Sequence, residues 1–173
     1  MNKITKMKLC VWWFHRGQKY GELPYTFHLN QCFDRLLGLH CVDVDLLCAM
    51  LGHDLFEDTK CYYAFVEKHF GYRVAELIKG MTKSQGADYT KYVKSITKRT
   101  EYRKDVMILK MIDNICNHTN SYMTRDRRRM TKYEGSLGIL RETCDMLLHT
   151  KSISEMDALH QLIASMAVPT IEE

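Results

Sequence analysis

Proline is nearly missing from this chain: Pro24 and Pro169 are the two in 173 residues. Long helices can therefore run without an internal breaker. No Gly/Ser-rich linker and no internal repeat occurs, which argues against loosely tethered modules. Strict alternation of apolar and polar residues is scarce, which argues against half-buried sheets. The apolar runs are far shorter than the roughly 20 residues a membrane-spanning helix needs. The start, MNKITKMKLCVWWFHRGQ, has a basic stretch and then too short an apolar patch for a signal-peptide core. No small-residue cleavage site follows it. A cytoplasmic protein is expected. CxxC is absent too. The seven cysteines (10, 32, 41, 48, 61, 116 and 144) are odd in number and sit mostly in apolar runs. Buried free thiols are expected, rather than disulfides or a zinc knuckle. Neither sign of charge dominates: 25 Lys and Arg face 21 Asp and Glu, a net +4. That favours an anionic ligand without demanding nucleic acid.

What is present is an ordinary globular composition, 46% hydrophobic and 27% charged, with enough length for a sizeable core. Apolar residues recur at a spacing of about 3.6, so the class is all-α, a compact single-domain bundle of about eight to nine helices. The domain is expected to fill 1–173, with 123–173 as helical packing scaffold. The pattern predicts helices over 4–19 and 24–37, the second with Pro24 in its first turn and Gly38 at its end. A third is predicted over 44–58, capped by Asp43, and a fourth from a Thr59 cap to just before Gly71. Others are predicted over 72–80, 89–99, 101–122, 125–149 and 154–167, with TKSQGAD as a looser link after 80. Trp12, Trp13 and Phe14 are expected to anchor the first helix in the core.

Against this plain background one stretch stands out. An apolar run, LLCAML, leads into LGHDLFEDT at 51–59, where His53, Asp54, Glu57 and Asp58 crowd together. On a continuous helix His53 and Glu57 share one face, and Asp54 and Asp58 the neighbouring one. Carboxylates at a helix C-terminus also meet the negative end of the macrodipole. Beside a core, such charges need a partner. A solvated group at a helix exit is the plain reading. A divalent metal is the other, and it requires ligands from elsewhere. His28, in FHRGQKYGELPYTFH, is one candidate. Asp113, alone on the apolar face of ILKMIDNICNH, is another. Taken singly, His28 fits a core histidine and Asp113 fits a partner for a nearby Lys or Arg.

Taken together, these segments resemble the metal-dependent HD phosphohydrolases, and within them the hydrolase domain of the RelA/SpoT homologues and the small alarmone hydrolases. GELPYTFH (21–28), HDLFED (53–58), FGYRVAELIKGMTK (70–83) and KMIDNICN (110–117) are similar, in order, to that family's GxPYxxH, HDxxED, FGxxVAxLVxGvTK and KxADxxxN segments. The resemblance spans roughly 12–122. It implies His28, His53, Asp54 and Asp113 as metal ligands, usually for one Mn²⁺ ion, other divalent metals remaining open. It implies Glu57 and Asp58 as the catalytic pair that orients or deprotonates the attacking water. Asn117 matches an asparagine near the nucleotide sugar. Arg16, Lys19 and Lys83 are candidates for the substrate phosphates, and Tyr25 for shaping the pocket. His15 is expected to pack or to fix the HRGQ turn.

There are departures. Lys19-Tyr20 stands where a double-basic pair is common, Leu29 follows the histidine in place of proline, and Asn114 stands where a basic residue is common. His118-Thr119-Asn120 also differs from the usual stretch. Metal and water machinery is complete, whereas phosphate and base recognition is altered. The implied activity is a stand-alone (p)ppGpp 3′-pyrophosphohydrolase that releases pyrophosphate and GDP or GTP. The alternatives are the same chemistry on NADPH, adenine 3′-phosphates or nucleoside mono- or triphosphates, and a silent nucleotide-binding scaffold. The partner expected is a small nucleotide; a membrane and nucleic acid are not expected, and a homo-oligomer stays open. The run TRDRRRMTK (124–132) reads as a solvated helix start, since no aromatic interleaving accompanies its cations.

Overall fold

Asp43 caps a helix as its sequence context predicts. Its Oδ1 accepts from the backbone N–H groups of Asp45 and Leu46, at 2.9 and 3.1 Å, and satisfies two of the donors a helix start leaves orphaned. The computed structural model describes residues 1–148, and side chains through 143. The helix predicted over 154–167 lies outside the described residues. Those described are almost wholly helical. In chain order the elements are α1 (Lys3–Phe14), β1 (Lys19–Tyr20), β2 (Leu23–Pro24), α2 (Thr26–Gly38), α3 (Val44–Leu51), α4 (Leu55–Asp58), α5 (Tyr63–Phe70), α6 (Tyr72–Met81), α7 (Tyr89–Thr97), α8 (Arg103–Met123) and α9 (Arg127–Leu148). The apolar α3 sits at the centre, packed by α1, α2, α6 and α8. Helix α9 lies along α8 and α7. Most of α3 and the inner faces of α6 and α8 make the core.

Several boundaries move, each for a local reason. The first helix stops at Phe14, not near 19, because Gly17 takes a left-handed φ of 83°, a conformation that favours glycine. The chain then forms a two-residue hairpin in which Lys19 pairs with Pro24 and Tyr20 with Leu23. Pro24 is thus an edge residue, and α2 begins two residues later than predicted. Thr59 caps a turn and not a helix: it donates to the Leu55 carbonyl and accepts from the Cys61 N–H, and α5 starts only at Tyr63.

Two expectations fail outright. Trp12 and Trp13 are 60% and 54% exposed. The buried stripe of α1 runs through Met7 and Val11, and both tryptophans lie off it. Phe14 alone turns inward, edge-to-face with Phe65 at 5.5 Å. The third helix is not continuous through 58. It ends at Leu51, and Gly52 to Asp54 form a turn before α4. A Cβ built on Gly52 would lie 2.8 Å from Ile78 Cδ1 and 3.1 Å from Leu55 Cδ1, so a larger residue here would push on those side chains where the turn presses against α6. The shared faces expected for His53/Glu57 and Asp54/Asp58 therefore do not exist as drawn. Instead the turn swings His53 into the core, where it is 1% exposed.

Candidate metal and active site

Four side chains from three segments meet beside that turn. His28 comes from α2, His53 and Asp54 from the α3–α4 turn, and Asp113 from α8. Nε2 of His28 lies 3.3 Å from Asp113 Oδ1 and 3.9 Å from Asp54 Oδ2. Nε2 of His53 lies 3.1 Å from Asp54 Oδ2 and 3.5 Å from Asp113 Oδ1. His53 Nδ1 is 2.7 Å from the Met50 carbonyl. A carbonyl only accepts, so Nδ1 carries the proton. In the neutral ring Nε2 is then a bare lone pair, aimed at the cluster. That buried nitrogen has no hydrogen-bond partner. An orphaned acceptor facing two carboxylates is what a cation would satisfy, and an imidazole fixed through its other nitrogen is the usual support for a metal-bound histidine. The donors present therefore fit a divalent ion, which His28, His53, Asp54 and Asp113 could hold. The Cys32 thiol stands beside them, and His28, Cys32, His53 and Asp113 each offer an atom within 4.8 Å of the others.

The electrostatics agree. Burial favours the neutral form of Asp113, yet Lys110 outweighs it, with His28 and His53 adding, and holds the carboxyl well below its ordinary range. Lys110 Nζ reaches Asp113 Oδ2 at 2.8 Å, and Asn117 Nδ2 donates to Oδ1 at 2.6 Å. Asp113 thus does pair with a nearby lysine, as its plain reading allowed, and still turns Oδ1 to both imidazoles. Asp54 is opposed by its burial too, but His53 keeps it down, at about 2. For His53 burial works against the charged ring, and Asp54 and Asp113 overcome it, raising the group well above its ordinary value; with no ion present a proton on Nε2 takes the place that the ion would fill. This is a site that attracts positive charge.

Above the cluster opens a cavity of about 360 Å³. Glu57, Asp58, Lys19, Lys83, Tyr25 and Asn117 all line it, so the structure brings together each of these sequence candidates. Arg16 does not join them. Its guanidinium lies over the Trp13 ring, 3.9 Å from the centroid, and donates to the Trp13 carbonyl. Glu57 Oε2 accepts from the Lys83 N–H at 2.9 Å. Burial raises the Glu57 carboxyl above its ordinary value, and that N–H and Lys110 oppose the rise. Tyr25 bridges the two acids: its hydroxyl is 2.7 Å from Asp54 Oδ2 and 2.8 Å from Asp58 Oδ2. One proton serves one acceptor at a time, so the hydroxyl holds both carboxylates in reach of each other. The buried His15 stacks on Tyr25 at 4.8 Å and bonds Gln18, whose amide donates to the Asp58 carbonyl. The HRGQ turn thus braces the acidic pair.

Sequence reasoning missed part of the wall. Tyr20 stacks on His28 at 4.7 Å, and its hydroxyl donates to Asn117 Oδ1 at 2.9 Å. Arg129, Lys132 and Tyr133, from the first two turns of α9, also line the cavity, as do Tyr89, Tyr92 and Lys110. The run at 124–132 is therefore more than a solvated helix start. One signal was legible: three successive arginines, 127–129, sit at the positive end of a helix dipole, a poor place for cations unless an anion joins them. Burial and the neighbouring charge of Lys110 both push Lys132 below its ordinary value. The cavity thus has an acidic floor and a cationic wall.

No family model matches the chain. Over 120 residues it is 32% identical to the guanosine-3′,5′-bis(diphosphate) 3′-pyrophosphohydrolase of Aquifex aeolicus, a match that covers 65% of this chain and 16% of that protein. The chain thus spans less than a fifth of that relative. Its fold is similar to the solved structure of a metazoan ortholog of SpoT, described as hydrolysing ppGpp and playing a role in starvation responses. The TM-score is 0.73 at 19% identity, over 96% of this chain and 97% of the other. The sequence match agrees with the resemblance carried by the four motifs, and the likeness of fold bears out the all-α class.

Proposed function

We propose that this chain is a metal-dependent (p)ppGpp 3′-pyrophosphohydrolase, cleaving the 3′ ester linkage to release pyrophosphate and leave GDP or GTP. The observation that carries the reading is the pairing of an acidic, histidine-bearing floor with a cationic wall across one cavity. Pyrophosphate esters are polyanions and repel hydroxide, so hydrolysis needs both charge neutralisation and a positioned water. A divalent ion held by His28, His53, Asp54 and Asp113 supplies Lewis acidity and lowers the pKa of water; Mn²⁺ is the ion the resemblance implies. Glu57, braced by the Lys83 N–H, and Asp58, tied to Tyr25, orient the water and take its proton. Lys19, Lys83, Arg129 and Lys132 face the phosphates. Asn117 is spent on Asp113 and Tyr20, so it reaches the sugar only if one of those bonds opens. Among the described residues no helix is long and apolar enough to cross a membrane, and the free thiols suit the reducing cytoplasm.

A second reading has its own observation. Tyr20 stands where a second cation is common in the resembled family, and it puts an aromatic ring against His28. One phosphate contact fewer favours a nucleotide with less charge near that wall, such as NADPH or an adenine 3′-phosphate. Product analysis separates the two. GDP and pyrophosphate from ppGpp, formed with Mn²⁺ and abolished by a chelator, support the first. Free phosphate from NADPH, with ppGpp left intact by metal-loaded protein, overturns it in favour of the second.

A further inference from the structure

Tyr20 braces two of the four candidate donors at once. It ends β1, and its ring lies on the His28 imidazole, with centroids 4.7 Å apart and planes 15° from parallel. Its hydroxyl reaches the second donor through α8. Asp113, Asn117 and Asn120 stand at i, i+4 and i+7 on that helix, so they share a face. Asp113 is the ion-pair partner of Lys110, and a carboxylate only accepts. The amide atom 2.6 Å from its Oδ1 is therefore Asn117 Nδ2, which leaves Asn117 Oδ1 facing the hairpin. An amide oxygen also only accepts, so Tyr20 donates to it, at 2.9 Å. The hydroxyl oxygen in turn accepts from Asn120 Nδ2 at 2.9 Å, and that amide lies 2.9 Å from Gln31 Oε1 on α2. The direction of each of these bonds follows from the charge on Asp113. Tyr20 and Asn120, which both depart from the resembled pattern, are thus bonded to each other.

We propose that Tyr20 is a positioning residue of the metal centre: its ring braces the His28 imidazole, and its hydroxyl orients the Asn117 amide that donates to Asp113. The oxygen at the end of this relay, Asp113 Oδ1, is the one that faces both imidazoles. Lys110 holds Oδ2, so Oδ1 is the atom left to meet an ion, and the Asn117 bond sets where its other lone pair points. The hydroxyl acts through Asn117 and not on the ion itself. Donors ordered in advance lose less freedom when they bind, so the hairpin contributes to metal affinity although it supplies no ligand. This role rests on the cluster being a metal centre, and is independent of which nucleotide is cleaved.

The test is the Mn²⁺ affinity of the full chain, read from the electron paramagnetic resonance signal of the free ion. Tyr20→Phe keeps the stack and loses the relay, and should weaken Mn²⁺ binding by about tenfold. Asn117→Ala should weaken it by about as much or more. The double variant should be no weaker than Asn117→Ala alone, because the hydroxyl then has nothing left to orient. Tyr20→Leu loses the ring as well, and should weaken binding further in either background. If the circular dichroism of Tyr20→Phe is altered, Asn120→Ala, which releases the hydroxyl from its other side, takes its place. Native affinity in Tyr20→Phe, or losses that add in the double variant, overturn the relay. So does slower ppGpp turnover at unchanged Mn²⁺ affinity, which would put the hydroxyl on the substrate. Equal affinities for Tyr20→Phe and Tyr20→Leu overturn the bracing of His28. Absence of Mn²⁺ binding by the native protein overturns the centre and the role of Tyr20 with it. Weakened binding in Tyr20→Phe, where the native protein leaves ppGpp intact, supports Tyr20 and sinks only the alarmone reading.

Discussion

The floor and the wall of the cavity are built on opposite principles. On the floor His28 and His53 are each 1% exposed and Asp113 4%. Asp113 is fixed by Lys110 and Asn117, and His53 by the Met50 carbonyl. On the wall, long cations come from separate segments: Lys19 from the hairpin, Lys83 from the link just after α6, Arg129 and Lys132 from α9. Arg129 is 65% exposed at its side chain. A buried, doubly held donor set costs no reorganisation when it binds an ion. Exposed lysines and arginines give a diffuse positive field, weakened by salt, that attracts a polyanion without fixing its atoms. The floor should govern turnover, and the wall affinity.

The largest effects should come from breaking the floor. His53→Ala is expected to remove the metal and to lower activity by about 10³-fold or more, the loss of several kcal/mol of transition-state stabilisation. Elemental analysis of the purified variant checks the metal. Asp113→Ala should do the same and also destabilise the fold by about 3 to 5 kcal/mol, because it strands the buried Lys110 ammonium. A denaturant titration that finds the two variants equally stable would show that the Lys110 pair contributes little.

Glu57 lies between floor and wall, and its replacement should separate metal binding from chemistry. Glu57→Gln keeps the shape and the acceptor for the Lys83 N–H but removes the base. Metal content should be native, with kcat down by about 10²-fold or more. Full activity would take the proton-transfer role from Glu57 and leave Asp58 as its bearer.

The same contrast explains what could be read from the chain. The floor was legible because a buried donor set needs unusual residues in apolar surroundings: Asp113 on an apolar helix face, His53 and Asp54 after LLCAML. The general architecture was legible from 3.6-residue spacing, and Asp43 from capping chemistry. The wall was not, because Arg129 and Lys132 look like any solvated cations until α9 packs on α8 and α7 and turns its first turns to the cavity. Arg16 shows the reverse: a candidate for the phosphates by sequence, it lies over the nearby Trp13 ring and is not among the cavity residues. Trp12 and Trp13 misled because their hydrophobicity suggested burial, whereas the phase of the α1 stripe decided it. The break at Gly52 lies where the turn packs close to Ile78, a tertiary contact that no local pattern records.

Weakening the wall should give a smaller and different loss. Lys132→Ala is expected to raise KM for ppGpp by about tenfold, the value of one charge-assisted contact in partial solvent, with kcat little changed. Raising the salt concentration should narrow the gap between variant and native protein. A fall in kcat at constant KM would instead place Lys132 in the transition state, and the division between floor and wall would fail.

The smallest effect belongs to the scaffold. Asp43 caps α3 and accepts from Arg73 at 2.7 and 2.9 Å, and it is not among the cavity residues. Asp43→Ala should cost about 1 kcal/mol of stability, or about 3 °C in Tm for a chain of this size, with kcat and KM unchanged. Burial tends to raise the Asp43 carboxyl, but Arg73 and the capping N–H groups outweigh it and hold it below its ordinary value. A group depressed in the folded state contributes fully above the unfolded carboxylate value and loses its contribution as pH falls through the folded one. The Tm gap between native and Asp43→Ala should therefore be constant near neutrality and shrink below about pH 4. A gap that persists into acid would mean that the uncharged carboxyl caps as well as the charged one, and that Arg73 adds nothing to the cap.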